Sequence, residues 1–252
     1  MENSPSLFIQ AFLTYLSCVP LCVSQSSSEE AAAEEAAEKL LRDTFESEKF
    51  VPDIIPEPPL EQLQVIYNGT KVPLGGLIPF DQAANRPILK WDERDAFYTI
   101  IMTGSLYSAK LSFIDLDPDS PSRSDPRLSE LQHWIIGNVY RRNISSGETF
   151  AEYTGPRDAR EFVVEEGTHR YIISVFEQMG KQVFTERRIP RENMLFRGLF
   201  NTSKFVKEYR LRGPVAASYF TVDHEATKLI PESNATASKN ARIRRILSDK
   251  NL

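Results

Sequence analysis

The stretch "LQHWIIGNV", residues 131–139, places aromatic and β-branched side chains in a row that breaks at a glycine and an asparagine. A run of this length and composition reads as a β-strand. Working outward, four further runs have the same character: "LQVIY" at 63–67, "FYTIIM" at 97–102, "RYIISVF" at 170–176 and "VAASYF" at 215–220. Each is bounded by Gly, Pro, Asn or Asp, which turn a chain between strands. The pattern predicts an all-β sandwich rather than parallel α/β units. Two helical pieces are expected around it, one in "RGLFNTSKFVKEYR" at 197–210 and one in "ASKNARIRRILSDK" at 237–250. There is no internal repeat.

The chain has 252 residues, 41% of them hydrophobic, which is enough for one domain with a well-buried core. Its net charge of -5, with basic residues gathered only in the tail, excludes nucleic acid as the natural partner. Residues 1–24 read as a secretory signal: "LFIQAFLTYLSCVPLCV" at 7–23 is uncharged, and Cys22 and Ser24 are small residues suited to cleavage. The leading "MENSPS" has no Lys or Arg, which leaves a membrane anchor or a mispredicted start codon as the alternatives. Both cysteines, Cys18 and Cys22, lie in this segment, so a processed chain has no disulfide and no thiol chemistry. Secretion also fits four N-glycosylation sequons, at Asn68, Asn143, Asn201 and Asn234. Residues 25–49 form an acidic helix, with serines capping an Ala/Glu/Leu run, of which only the part after Leu40 has apolar residues to dock. Pro52, Pro56, Pro58 and Pro59 are expected to end it, and residues 50–226 to form the folded domain. Residues 227–252 are a basic tail, where Ile243 and Leu247 beside Arg244 and Arg245 suit a peripheral contact with an anionic lipid surface.

Several segments follow one another in a specific order: "VPDIIPEPPLEQLQVIY", "DPDSPSRSDP", "LQHWIIGNV", "ISSGETFAEYTGP", "HRYIISVFEQ" and "FNTSKFVKEYRLRGPVAASYF". In this order they resemble the phosphatidylethanolamine-binding protein family, over roughly residues 45–225. The resemblance implies two antiparallel sheets packed face to face, helices near the C-terminus, and a small anion pocket at one end of the sandwich. It maps Asp117, His133, Gly155, Pro156, His169 and Tyr171 onto that pocket. Histidines, a tyrosine hydroxyl and backbone N–H groups donate to a phosphate without a metal. Asp117 fits as the residue that orients His133 and favours its charged form, or that meets an ethanolamine ammonium. The expected ligand is a phosphate-bearing molecule such as a phospholipid head group, bound by a non-enzymatic monomer without cofactor or metal. The resemblance also allows a protein partner, a serine protease or a kinase.

Taken singly, the same residues have plainer readings. Asp117 and Asp119 in "DPDSP" suit a turn, His224 and Arg123 suit structural pairing, Trp91 and Trp134 suit packing, and "FNTSKF" suits a helix start. No G-x-S-x-G, H-E-x-x-H, P-loop or dinucleotide fingerprint is present, which argues against an enzyme. A metal site from Asp117, Asp119 and His133 is disfavoured because the prolines lock the carboxylates. Three features depart from the family. Residues 104–116, "GSLYSAKLSFIDL", read as an insertion inside a central strand, either an exposed loop or a retained intron. Arg157 follows Pro156 where a second proline is usual, and "DAREFVVEEG" lengthens the connection to His169. Ile230 falls near the place of a pocket tyrosine.

Overall fold

Helix α1 spans Val19–Ser47, and its serines therefore lie within the helix rather than capping it. The computed structural model describes residues 19–79, 81–105, 130–156, 168–194 and 196–223. Nor do the prolines stop α1. Lys49 takes φ +57°, Lys49 N–H donates to Glu46 O and Phe50 N–H to Phe45 O, each at 3.0 Å. This is the Schellman ending, and its usual apolar contact is present as Phe45 against Phe50, ring centroids 5.6 Å apart. The helix has closed before Pro52 is reached. Residues 29–40 of α1 are exposed, whereas Leu41 and Phe45, one turn apart, are buried.

Nine strands follow among the described residues: β1 Glu61–Gln62, β2 Gln64–Tyr67, β3 Thr70–Val72, β4 Ile88–Lys90, β5 Phe97–Ser105, β6 Glu130–Tyr140, β7 Glu148–Ala151, β8 Thr168–Gln178 and β9 Arg212–Asp223. A short helix α2, Thr202–Glu208, is capped by Asn201, whose Oδ1 accepts from Lys204 N–H. The five apolar runs became β2, β5, β6, β8 and β9. They form a six-stranded sheet in the order β1-β9-β8-β5-β6-β7 and a three-stranded sheet in the order β3-β2-β4. All pairings are antiparallel except that of β1 with β9, which is parallel, so the large sheet is mixed at that edge.

The large sheet is covered on both faces. Tyr98, Ile100, Met102, Trp134, Ile136, Ile173 and Val175 pack against Leu63, Val65, Tyr67, Val72 and Leu89 of the small sheet side. On the other face Ile101, Ile135, Ile172, Phe176 and Ala217 meet Leu41 and Phe45 of α1, Phe50, Ile55, and Phe205 and Val206 of α2. Strands buried on both sides need apolar residues at successive positions, which is why "FYTIIM" and "HWIIGNV" scarcely alternate. Gly104 and Ser105, the first two residues of the expected insertion, complete β5 in register with Leu131 and Glu130. Residues 106–116 lie outside the described residues, as does the tail.

Candidate anion site

β5, β6 and β8 lie side by side, and the C-terminal end of β5 meets the N-terminal ends of the other two. At this end the register of β6 slips. Met102 pairs with Trp134 and Thr103 with Gln132, so His133 is one residue more than β5 can match. Strict alternation would aim His133 away from the face that carries Trp134; the bulge re-aims it. Its ring meets that of Tyr171 edge-on, centroids 5.0 Å apart at 79°. Between them lies Gly104, which pairs with Tyr171 on β8. A Cβ at Gly104 would stand 2.9 Å from both His133 Nε2 and Tyr171 Cε1, so only glycine leaves the two rings their places.

Thr154 holds the histidine. Thr154 N–H donates to His133 O at 2.8 Å, and His133 Nδ1 lies 2.8 Å from Thr154 O. A carbonyl only accepts, so Nδ1 carries the proton and Nε2 is the nitrogen turned toward Gly104. At Nδ1 the ring is oriented by a backbone carbonyl. Asp117 itself lies outside the described residues, with Asp119, Arg123, Arg157, His224 and Ile230.

Tyr171 stacks on Phe220, centroids 5.4 Å apart at 16°, and burial pushes its phenol far above the usual tyrosine range. The hydroxyl therefore keeps its proton. His169 is buried two residues earlier on β8, on the same side of the strand by the period of two. Gly155 and Pro156 are buried beside Thr154, where a Cβ on Gly155 would come within 2.4 Å of Ala83 O. Close backbone approach, rather than a special φ, demands that glycine. The same Ala83 O accepts from Tyr153 O–H at 2.7 Å. Beyond it the Arg86 guanidinium lies over Trp134, 5.4 Å from the ring centroid, so an exposed cation stands next to the histidine strand. The structure thus brings His133 and Tyr171 into contact, places His169 two residues along β8 on the face that carries Tyr171, and seats Gly155 and Pro156 next to Thr154. Thr154, Gly104 and Phe220 were missed in the sequence. Gly104 was hidden because it heads the apparent insertion. Among the described residues no group of three or more His, Cys, Asp or Glu could hold a metal ion, and no helix is long and apolar enough to cross a membrane.

The family model for phosphatidylethanolamine-binding protein matches residues 68–220, more than half of the chain. The chain belongs to this family. Its similarity extends to the putative odorant-binding protein A5 of Drosophila melanogaster, 29% identical over 174 residues, covering 68% of this chain and 75% of that protein. CEN-like protein 1 of Nicotiana tabacum is 33% identical over 171 residues, 66% of this chain and 83% of the relative. Among solved structures, carboxypeptidase Y inhibitor, crystallised with its cognate proteinase, superposes with a TM-score of 0.54 at 21% identity, over 74% of this chain and 96% of the other. At that identity the likeness concerns the fold. This member of the family has the two-sheet architecture, and the family's described proteins are binding or inhibitor proteins in the main.

Proposed function

We propose that this phosphatidylethanolamine-binding protein family member is a secreted, non-enzymatic, monomeric binding protein whose pocket holds a phosphate-bearing group such as a phospholipid head group. The observation that carries the reading is His133: a bulge aims its ring at Tyr171, and Thr154 O fixes its tautomer. Neutral, the imidazole offers a lone pair at Nε2, which repels an anion; protonated, it offers a charge-assisted donor. Anion affinity therefore rises as pH falls through the histidine range. The Tyr171 hydroxyl and His169 add donors, and Gly155 and Pro156 form the wall. Asp117 is assigned to favouring the charged form of His133. Removal of residues 1–24 gives a mature chain beginning near Gln25, free of cysteine.

Calorimetry with phosphoethanolamine between pH 5 and 8 makes the test. His133→Ala and His169→Ala should each weaken binding by about 1–3 kcal/mol, the range for a hydrogen bond to a charged group. Asp117→Asn should also weaken it. Tighter binding in that variant would mean that Asp117 faces the ligand instead. Equal affinity in wild type and both histidine variants would overturn the pocket and favour a protein partner.

A further inference from the structure

We propose that Asn68 is an N-glycan attachment site, an inference that rests on the secretory part of the reading above. Three of the four sequons lie among the described residues, and the fold treats them differently. Asn68 and Gly69 form the two-residue loop between β2 and β3, with φ +51° and +81°, and Tyr67 pairs with Thr70 across it. This is the turn geometry that Asn-Gly favours in a hairpin. Asn68, Gly69 and Thr70 are all exposed, and a Cβ on Gly69 would meet nothing within 4 Å. The tip stands in open space on a fixed base. Tyr67 is buried, with its hydroxyl 3.0 Å from that of Tyr153 and its ring against Phe220.

At the other two sequons the asparagine is also exposed, but its side chain is engaged by neighbouring backbone. Asn201 Oδ1 caps α2 through Lys204 N–H at 2.7 Å, and Ser203, the hydroxyl residue of that sequon, donates to Ile54 O at 2.9 Å. Asn143 Oδ1 accepts from Ser145 N–H at 3.2 Å in the β6–β7 connection. Asn234 lies outside the described residues. A bulky, hydrated glycan needs a surface from which it can project, and the hairpin tip provides the freest one. It would also stand near the outer face of the small sheet, where Ile66 pairs with Ile88 on edge strand β4 and Ile88 is 60% exposed. Shielding that edge by a sugar suppresses pairing with other chains. In the transfer, Asn68 Nδ2 bonds to C1 of an oligosaccharide carried on a lipid diphosphate. The C1–O bond breaks, the lipid diphosphate leaves with the electron pair, and one amide proton passes to base.

The full chain is expressed in eukaryotic secretory cells with its own leader and, separately, with an unrelated cleaved leader. Secreted protein is treated with the amidase that releases N-glycans, which converts each glycosylated Asn to Asp, and is then mapped by peptide mass. Under both leaders the Asn68 peptide should be converted, to a greater extent than the Asn201 peptide, and Asn68→Gln should remove one glycan from the intact mass. An unconverted Asn68 in secreted protein under both leaders would overturn the site. Conversion under the unrelated leader alone would overturn its occupancy in the natural protein through the leader, and with it the secretory reading.

Discussion

Glu130 opens β6 with a buried carboxylate, an uncommon place for an acid. Thr202 N–H donates to its Oε1 at 2.8 Å, Thr202 O–H donates to Oε2, and Thr103 adds a further hydrogen bond. Desolvation outweighs these bonds and pushes the carboxyl from 4.5 up to about 7. The folded state thus holds the proton more tightly than the unfolded chain does. The stabilisation this brings is complete below pH 4.5 and is lost as pH rises through about 7. Urea titrations of wild type should show a loss of up to about 3 kcal/mol between these limits, less whatever water reaches the site. Glu130→Gln, whose amide has no charge to desolvate, should remove that part of the pH dependence and be the more stable form at pH 8. An unchanged slope would show that the carboxylate is solvated. Nothing in "RLSELQHW" distinguishes this glutamate from a surface one, because its burial depends on the segment from Arg197 to Thr202. Gln132 N–H donates to Arg197 O and Phe200 N–H to Glu130 O, so that segment lines the start of β6.

At the scale of the element, β6 owes its shape to two slips in register against β5. One aims His133. The other lies between the pairs Tyr98–Val139 and Ile100–Ile136, and there Asn138 takes φ +55° within the strand. Asparagine tolerates the left-handed region better than other non-glycine residues, which suits it to this position. In the structure its side chain joins the bulge to the chain beyond β8. Asn138 Oδ1 accepts from Gln178 Nε2 and Gln182 N–H, each at 2.9 Å, while its Nδ2 donates to Gln182 O at 2.8 Å. Its own N–H donates to Gln178 Oε1 at 2.8 Å, which also accepts from Thr99 O–H. Asn138→Ala removes the side-chain bonds to Gln182 N–H and O and one of those made by Gln178 Nε2, which keeps Gly180 O at 3.1 Å, and it leaves at positive φ a residue without the amide that makes asparagine tolerable there. It should cost about 2–4 kcal/mol in denaturant titrations. Asn138→Gly keeps the backbone conformation and should cost less. Equal losses would mean that the φ angle carries no strain.

In the molecule as a whole, the strand that carries His169 and Tyr171 is held from behind by the segment that ends the helix preceding the sandwich. Arg170 lies between His169 and Tyr171 but faces the other way, donating to Glu48 O at 2.5 Å and to Glu48 Oε2 at 3.0 Å, with its guanidinium over Phe50. Phe45→Ala should therefore destabilise the whole fold by about 3–5 kcal/mol, whereas deleting residues 1–37, ahead of the docked turn, should leave the melting temperature unchanged. A large loss on deletion would show that the exposed part of α1 contributes to folding. The strand-forming runs, the turn residues between them and the docking part of the acidic helix were all legible in the sequence, because apolar runs and turn preferences are local properties of the chain. The ordered motifs likewise carried the family and pointed to His133 and Tyr171. The ending of α1 at Lys49 was local too, but a non-glycine residue in the left-handed region leaves no mark that sequence reading can find. What only the tertiary structure decided is how these residues face one another: the bulge at His133, its tautomer set by Thr154, the need for Gly104 between two rings, and the burial of Glu130. Each depends on the register of strands far apart in the chain, and a shift of one residue in that register turns a side chain to the opposite face without changing any residue in the sequence.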